Sequence, residues 1–150
     1  MVMSDRIALL RMGGLEQVAS PREIYSHPST AYTAQFIGHT NLLKGAVKAG
    51  VAVCNQLSWT VSAPDGPALF SLRPEHIRIA GVAASSNMIR VRGRVLHQVF
   101  HGATDLIRVE CGEGLVLVAR MASTDTTLTD VELEFSPADA VLVRESVERI

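Results

Sequence analysis

From Asn41 to Arg144 the sequence is a succession of short apolar segments separated by turn-forming residues, with no helical periodicity. Segments this short bury a core only by curling around one another, which limits the fold to a small antiparallel β architecture. Val51, Val53, Leu57, Trp59 and Val61 share one parity, and Ala52, Gln56, Ser58, Thr60 and Ser62 the other. This pattern predicts a sheet with one dry and one wet face, the first set inward. Pro64-Asp65-Gly66-Pro67 reads as a turn. Further strands are expected over residues 68–72, 77–79, 89–100, 106–111, 115–121, 131–135 and 141–144, with Gly112-Glu113-Gly114 as a tight hairpin. The expected product is a small barrel of Greek-key or OB type, and no internal repeat is evident.

The preceding forty residues differ in kind. Ile7-Ala8-Leu9-Leu10 is a continuous apolar run, as expected of a strand covered on both faces. Gly13-Gly14 supplies a turn and Leu15-Glu16-Gln17-Val18 returns. Ser20-Pro21-Arg22-Glu23 is a helix start with a capping box, and His27-Pro28 stops that helix. Ser29 or Thr30 starts a second helix, with Gly38 as its expected left-handed cap. The boundary between the two regions falls near Thr40-Asn41.

Composition narrows the functions available. A chain of 150 residues with 47% hydrophobic and 19% charged residues can bury a core, and its net charge of -1 gives no overall attraction to nucleic acid or anionic lipid. No apolar run approaches the roughly 20 residues of a membrane span. The N-terminus, Met1-Val2-Met3-Ser4, has no basic region ahead of an apolar core and does not read as a secretory signal. Cys54 and Cys111 lie far apart in apolar contexts, as expected of buried thiols in a reducing compartment, without metal spacing.

Catalytic signals are sparse. A phosphate-cradling Walker A loop requires Gly-Lys, and the only lysines are Lys44 and Lys48, neither after glycine. The five histidines, His27, His39, His76, His97 and His101, form no metal or catalytic spacing; His97 and His101 share a strand face but stand about 13 Å apart. Asp105 and Glu110 lie near His101, with no nucleophile beside them. Arg90, Arg92 and Arg94 alternate on one strand and point the same way, which fits a solvated or salt-bridged face, a subunit contact or a nucleic-acid groove. Single-strand binders also need exposed aromatics, and here the aromatic content is 5%, with Trp59 and Phe100 on parities that read as buried. No catalytic, cofactor-binding or metal-binding residue is assigned.

With these residues laid out, a resemblance emerges. Asp5-Arg6-Ile7-Ala8-Leu9-Leu10, the hairpin at Gly13-Gly14, Ser20-Pro21-Arg22-Glu23-Ile24-Tyr25, Phe36-Ile37-Gly38 and Asn41-Leu42-Leu43 resemble, in that order, the end of the nucleotide-binding domain of an ATP-binding cassette importer subunit. Leu72-Arg73-Pro74-Glu75-His76-Ile77, Phe100-His101-Gly102 and the segment from Val131 to Pro137 resemble the TOBE regulatory extension of importers for polyamines, ferric iron, sugars and related solutes. The resemblance implies a mainly β fold: an OB-like (MOP/TOBE) barrel over residues 41–150, preceded over residues 1–40 by a hairpin and helices left from an α/β nucleotide-binding domain.

The motifs that bind and cleave ATP in that family have no counterpart here. ATP and Mg²⁺ are therefore implied for the parent subunit and not for this chain, which is expected to lack enzymatic activity. The resemblance implies a regulatory and dimerising region. Its implied partners are a second copy, the permease subunits through the parent's nucleotide-binding domain, and a small ligand such as an oxyanion or the transported substrate. Nucleic acid is not among them. The implied location is the cytoplasm, at the inner membrane face. Arg73 and Glu75 are candidate regulatory or interface residues by this resemblance, or simply the frame of a turn around Pro74. Arg90, Arg92 and Arg94 are the other candidates. The apolar run at Ile7 to Leu10, without neighbouring strands, predicts a partner chain covering it.

Overall fold

The computed structural model of the chain describes residues 5–81 and 87–145, so the reading of Met1-Val2-Met3-Ser4 lies outside the described residues. β1 (Ile7–Arg11) and β2 (Gly14–Ala19) form an antiparallel hairpin. Its two-residue turn is Met12-Gly13, with φ of 49° and 80°, one residue earlier than expected. Both central residues sit at positive φ, as the mirror-type turn matching strand twist requires. Among the described residues β1 pairs only with β2. One face therefore stays open, contrary to the expected double coverage: Leu9 is buried, but Leu10 is 62% exposed.

α1 (Pro21–Ser26) starts as the sequence predicts. The Ser20 hydroxyl accepts from the Glu23 N–H while the Glu23 carboxylate accepts from the Ser20 N–H. α2 (Ala31–Ile37) is capped by Thr30, whose hydroxyl accepts from the Thr33 N–H. Gly38 does not take the expected left-handed cap; its φ of 176° is extended backbone. The carbonyls around the end of α2 find another partner, described below. Leu9, Ala19 and Ile24, with Ile7, Tyr32 and Ile37 against them, make a small core of their own.

Ten strands follow: β3 (Asn41–Lys48), β4 (Val51–Cys54), β5 (Leu57–Thr60), β6 (Gly66–Leu72), β7 (Arg78–Ile79), β8 (Ile89–His101), β9 (Thr104–Gly112), β10 (Leu115–Ala122), β11 (Asp130–Phe135) and β12 (Val141–Val143). They form two five-stranded antiparallel sheets, ordered β12-β6-β3-β4-β5 and β10-β9-β8-β11-β7. The sheets curl around one core that includes Leu43, Phe70, Leu72, Val109, Leu117 and Phe135. Trp59 packs edge-on against Phe70 and Phe135, at 5.0 and 6.2 Å between ring centroids. The fold is mainly β and OB-like, as expected.

Two inward assignments are corrected. In β4 the buried residues are Ala52 and Cys54, while Val51 and Val53 face outward, Val53 at 49% exposure. The two-residue loop pairs Cys54 with Leu57, so even positions on β4 share a face with odd positions on β5. Phe100 is 71% exposed. A bulge between Val95 and His97 switches the inward parity of β8 to even positions, but Phe100 lies near the end of the hairpin, beyond the core, and so stays exposed.

The structure also contains an internal repeat that the sequence conceals. β3 to β7 and β8 to β12 follow the same course, and the last short strand of each half crosses to the other sheet. β7 places Arg78 opposite Glu134 on β11, and β12 places Val141 opposite Ser71 on β6, the same positions shifted by 63 residues. Gly45 and Gly93 are equivalent, as are Cys54 and Cys111. At each glycine a Cβ would strike the neighbouring strand: the Val53 carbonyl and Cys54 Sγ (2.8 Å) at Gly45, the Glu110 carbonyl (2.7 Å) and Cys111 Sγ (3.1 Å) at Gly93. At both places the neighbouring strand comes too close for any side chain, which is why glycine stands there.

Candidate functional site

The join between the helix pair and the barrel is built around Arg73, which precedes the 3-10 turn Pro74–His76. Pro74 fixes that turn and aims residue 73 back at the helices. Arg73 is only 4% exposed. Its Nη1 donates to the carbonyls of Ala34 (2.7 Å), Gly38 (3.2 Å) and His39 (3.0 Å), and its Nη2 to that of Tyr25 (3.1 Å). The guanidinium also lies 4.3 Å over the Tyr25 ring. This is what replaces the missing glycine cap on α2. Burial lowers the Arg73 pKa, because its charge has left water.

Glu75, in the same turn, accepts a hydrogen bond from the Tyr25 hydroxyl. A third tie joins the chain's far end to the helices: Ala31 N–H donates to the Arg144 carbonyl and Arg144 N–H to the Ser29 carbonyl, both at 2.9 Å. Asn41 works on the barrel side. Its amide donates to the Leu72 and Val118 carbonyls, and its Oδ1 accepts from the Val118 N–H at 2.8 Å. One side chain thus completes the edge of β10. Sequence reading treated Asn41 as a boundary and as part of the Asn41-Leu42-Leu43 resemblance; nothing in its neighbours signals that β10 lies beside it.

Arg90, Arg92 and Arg94 do share one face of β8, and β11 lies alongside with acids in register. Arg92 is opposite Glu132, Arg90 opposite Glu134, and Arg94 opposite Asp130. Arg90 pairs with Glu134 at 3.1 Å and with Glu132 at 3.4 Å, and Arg92 with Glu132 at 3.3 Å. Arg78 adds a 2.7 Å bond to Glu134 from the other side. The buried Glu134 carboxylate thus sits between two guanidinium groups. The arrangement fits the salt-bridged face.

Asp105 is buried and receives hydrogen bonds from Gln98 Nε2 (3.0 Å), Ser123 Oγ (3.0 Å) and the Thr124 N–H (3.3 Å). Led by the Gln98 bond, these hold its carboxyl below the usual carboxylate range despite burial. Its task is to tie the β10–β11 loop to β9. Cys54 and Cys111 are free thiols, each pushed up to about 11 by burial. Among the described residues no three His, Cys, Asp or Glu side chains could jointly hold a metal, and no helix is long and apolar enough to cross a membrane.

Comparison with known proteins fits this architecture. Residues 70–143 match the TOBE domain. The chain is 35% identical over 126 residues to the spermidine/putrescine import ATP-binding protein PotA of Pseudomonas aeruginosa, covering 76% of the chain and 35% of that protein. It is 33% identical over 134 residues to the sn-glycerol-3-phosphate import ATP-binding protein UgpC of Rhizobium meliloti, covering 89% and 38%. With the sulfate/thiosulfate import ATP-binding protein CysA of Methylococcus capsulatus it shares 37% identity over 103 residues, covering 63% and 29%. The chain therefore spans little more than a third of the length of the first two relatives. The TOBE match, the OB-like barrel and these relatives together place the chain among the ATP-binding subunits of ATP-binding cassette importers, matching their TOBE-bearing C-terminal part.

Proposed function

We propose that this chain is the regulatory and dimerising part of an importer ATP-binding subunit. In the parent, ATP and Mg²⁺ act in the nucleotide-binding domain, which drives permease subunits from the cytoplasmic face of the inner membrane. The relatives are named for polyamine, glycerol 3-phosphate and sulfate import, and the solute carried here is set by the subunits that touch it. By itself the chain turns over no ATP and acts through binding and assembly.

The observation that carries this reading is the Arg73 clamp. One buried guanidinium fastens α1 and α2, the segment leading into the barrel, to the signature turn of the barrel itself. A barrel fixed to that segment constrains its movement and transmits to it whatever binds the barrel. The open apolar face of the β1–β2 hairpin, with Leu10, Met12 and Leu15 exposed, supports the assembly half of the reading. Light scattering of the purified chain is expected to give a dimer. A monodisperse monomer at high concentration overturns the dimer, and stoichiometric ATP turnover by the chain overturns the non-catalytic role.

A further inference from the structure

On the outer face of β8, β9 and β10 the positive charges are unmatched. Register stacks Arg94, Glu110 and Val116 in one row, His97, Arg108 and Val118 in the next, and Val99, Leu106 and Arg120 in the third. Arg94, Arg108 and Arg120 therefore descend the face on a diagonal, each one strand and one row from the last. With strands about 4.8 Å apart and rows two residues apart, successive arginines stand about 8 Å from one another. Among the described residues none of the three makes an ion pair, whereas Arg78, Arg90 and Arg92 all do. Arg120 donates to the neutral Thr104 hydroxyl at 3.3 Å. The whole chain has 14 basic and 15 acidic residues, yet Glu110 is the one carboxylate on these three rows. Val116 and Val118 flank the diagonal on one side, Val99 and Leu106 on the other, and none of the four belongs to the barrel core.

We propose that this face docks an acidic amphipathic segment of a partner protein, its carboxylates on the arginine diagonal and its apolar side chains against the valines and Leu106. A planar guanidinium without an ion pair receives a carboxylate through two parallel N–H donors. Glutamates one helical turn apart stand about 6 Å from each other, and the length of both side chains spans the difference. The partner lies across the face and does not add a strand. β10 is the edge of its sheet, but the Asn41 amide already holds the Val118 backbone there. Single-stranded nucleic acid needs rings on which bases stack, and the three rows hold no Phe, Tyr or Trp. Anionic lipid needs protruding apolar side chains, and Leu106, Val116 and Val118 are half-buried on the sheet. The docking face goes beyond the dimerising reading and does not rest on it, since no second copy of the chain is involved.

Two fluorescent helical peptides test this, one with glutamate at every fourth position and leucines beside it on the same face, the other with glutamine for every glutamate. The first is expected to bind the unmodified chain saturably, with amide shifts in nitrogen–proton correlation spectra confined to β8, β9 and β10. The second is expected to bind about tenfold more weakly or less. Arg94 and Arg108 are exposed, so Arg94→Glu and Arg108→Glu should keep the native melting temperature and each weaken binding about tenfold. Val99→Thr, on the apolar flank, should weaken it about threefold. Arg22→Glu, the same charge change at an exposed position of α1, should leave it unaltered. No binding of the glutamate peptide overturns the proposal. So do shifts centred elsewhere, equal binding of the glutamine peptide, or an equal loss in Arg22→Glu. Phosphatidylserine vesicles or oligothymidylate that bind through Arg108 while the glutamate peptide stays silent overturn it in favour of lipid or nucleic acid.

Discussion

Replacing Arg73 by glutamine should release the helix pair while leaving the barrel folded. The side chain makes four contacts to carbonyls, three of them shared by one Nη with two hydrogens, so they count as about three bonds. Charged hydrogen bonds contribute about 1.5–3 kcal/mol each, and the stack on Tyr25 adds up to about 2 kcal/mol. Water re-solvates the carbonyls nearest the surface and glutamine recovers part of one bond, which leaves a net loss of about 3–6 kcal/mol. The Tyr25–Glu75 bond and the backbone bridge between Thr30 and Arg144 remain. Native-state hydrogen exchange resolves the consequence by region. Protection of the α1 and α2 amides should fall roughly 10²- to 10⁴-fold, while that of β8 and β9 changes little. The reasoning fails if α1 and α2 stay within about threefold of the unmodified chain. It fails equally if helices and barrel lose protection in the same proportion, since Arg73 would then be a global stabiliser and not a clamp.

Gly45→Ala and Gly93→Ala should each lower stability by about 1–3 kcal/mol or more in urea titrations, with Gly45 the worse because its new methyl overlaps the neighbouring carbonyl more deeply. Near-native midpoints in both would contradict the close strand approach at these glycines. Glu134→Gln leaves Arg78 and Arg90 without their shared buried carboxylate and should cost about 2–3 kcal/mol, whereas Glu132→Gln, on a more exposed pair, should cost under about 1 kcal/mol. Equal effects in chemical denaturation would contradict that ranking. Because the folded pKa of Asp105 is depressed, its contribution is present above the unfolded value of about 3.9 and is lost as pH falls through the folded value. Asp105→Asn should therefore flatten the acid limb of the stability-against-pH curve, and an unchanged limb would count against it.

Local signals carried most of the element list because they act between neighbours. The Ser20–Glu23 capping box, the Pro28 stop, the Gly112-Glu113-Gly114 turn and the barrel strands other than β3 each rest on residues a few positions apart. The errors arose where a local rule needed a count across a turn or a partner elsewhere. The inward face of β4 depended on the length of the Asn55-Gln56 loop, and the exposure of Phe100 on its place near the end of the β8–β9 hairpin, beyond the core. Gly38 looked like a helix cap because glycine so often is one, but the α2 carbonyls are served by a side chain 35 residues away. The repeat stayed hidden because few positions keep their residue, Gly45 and Gly93, Cys54 and Cys111, Pro74 and Pro137 among them, and loop lengths shift the spacing between halves.

Read alone, the amino-acid order carried a mainly β barrel, the lack of a Gly-Lys pair in these residues, and the family resemblance, all of which rest on contiguous segments. Arg73 could be flagged but not given a task. Its partners, Tyr25, Ala34, Gly38 and His39, lie at least 34 residues away and offer carbonyls, which every residue has and no sequence distinguishes. The same holds for Glu134 between Arg78 and Arg90, and for Asn41 against Val118. Which chain segments meet is set by burying one shared core, and only that packing turns a buried guanidinium into the fastening between helices and barrel.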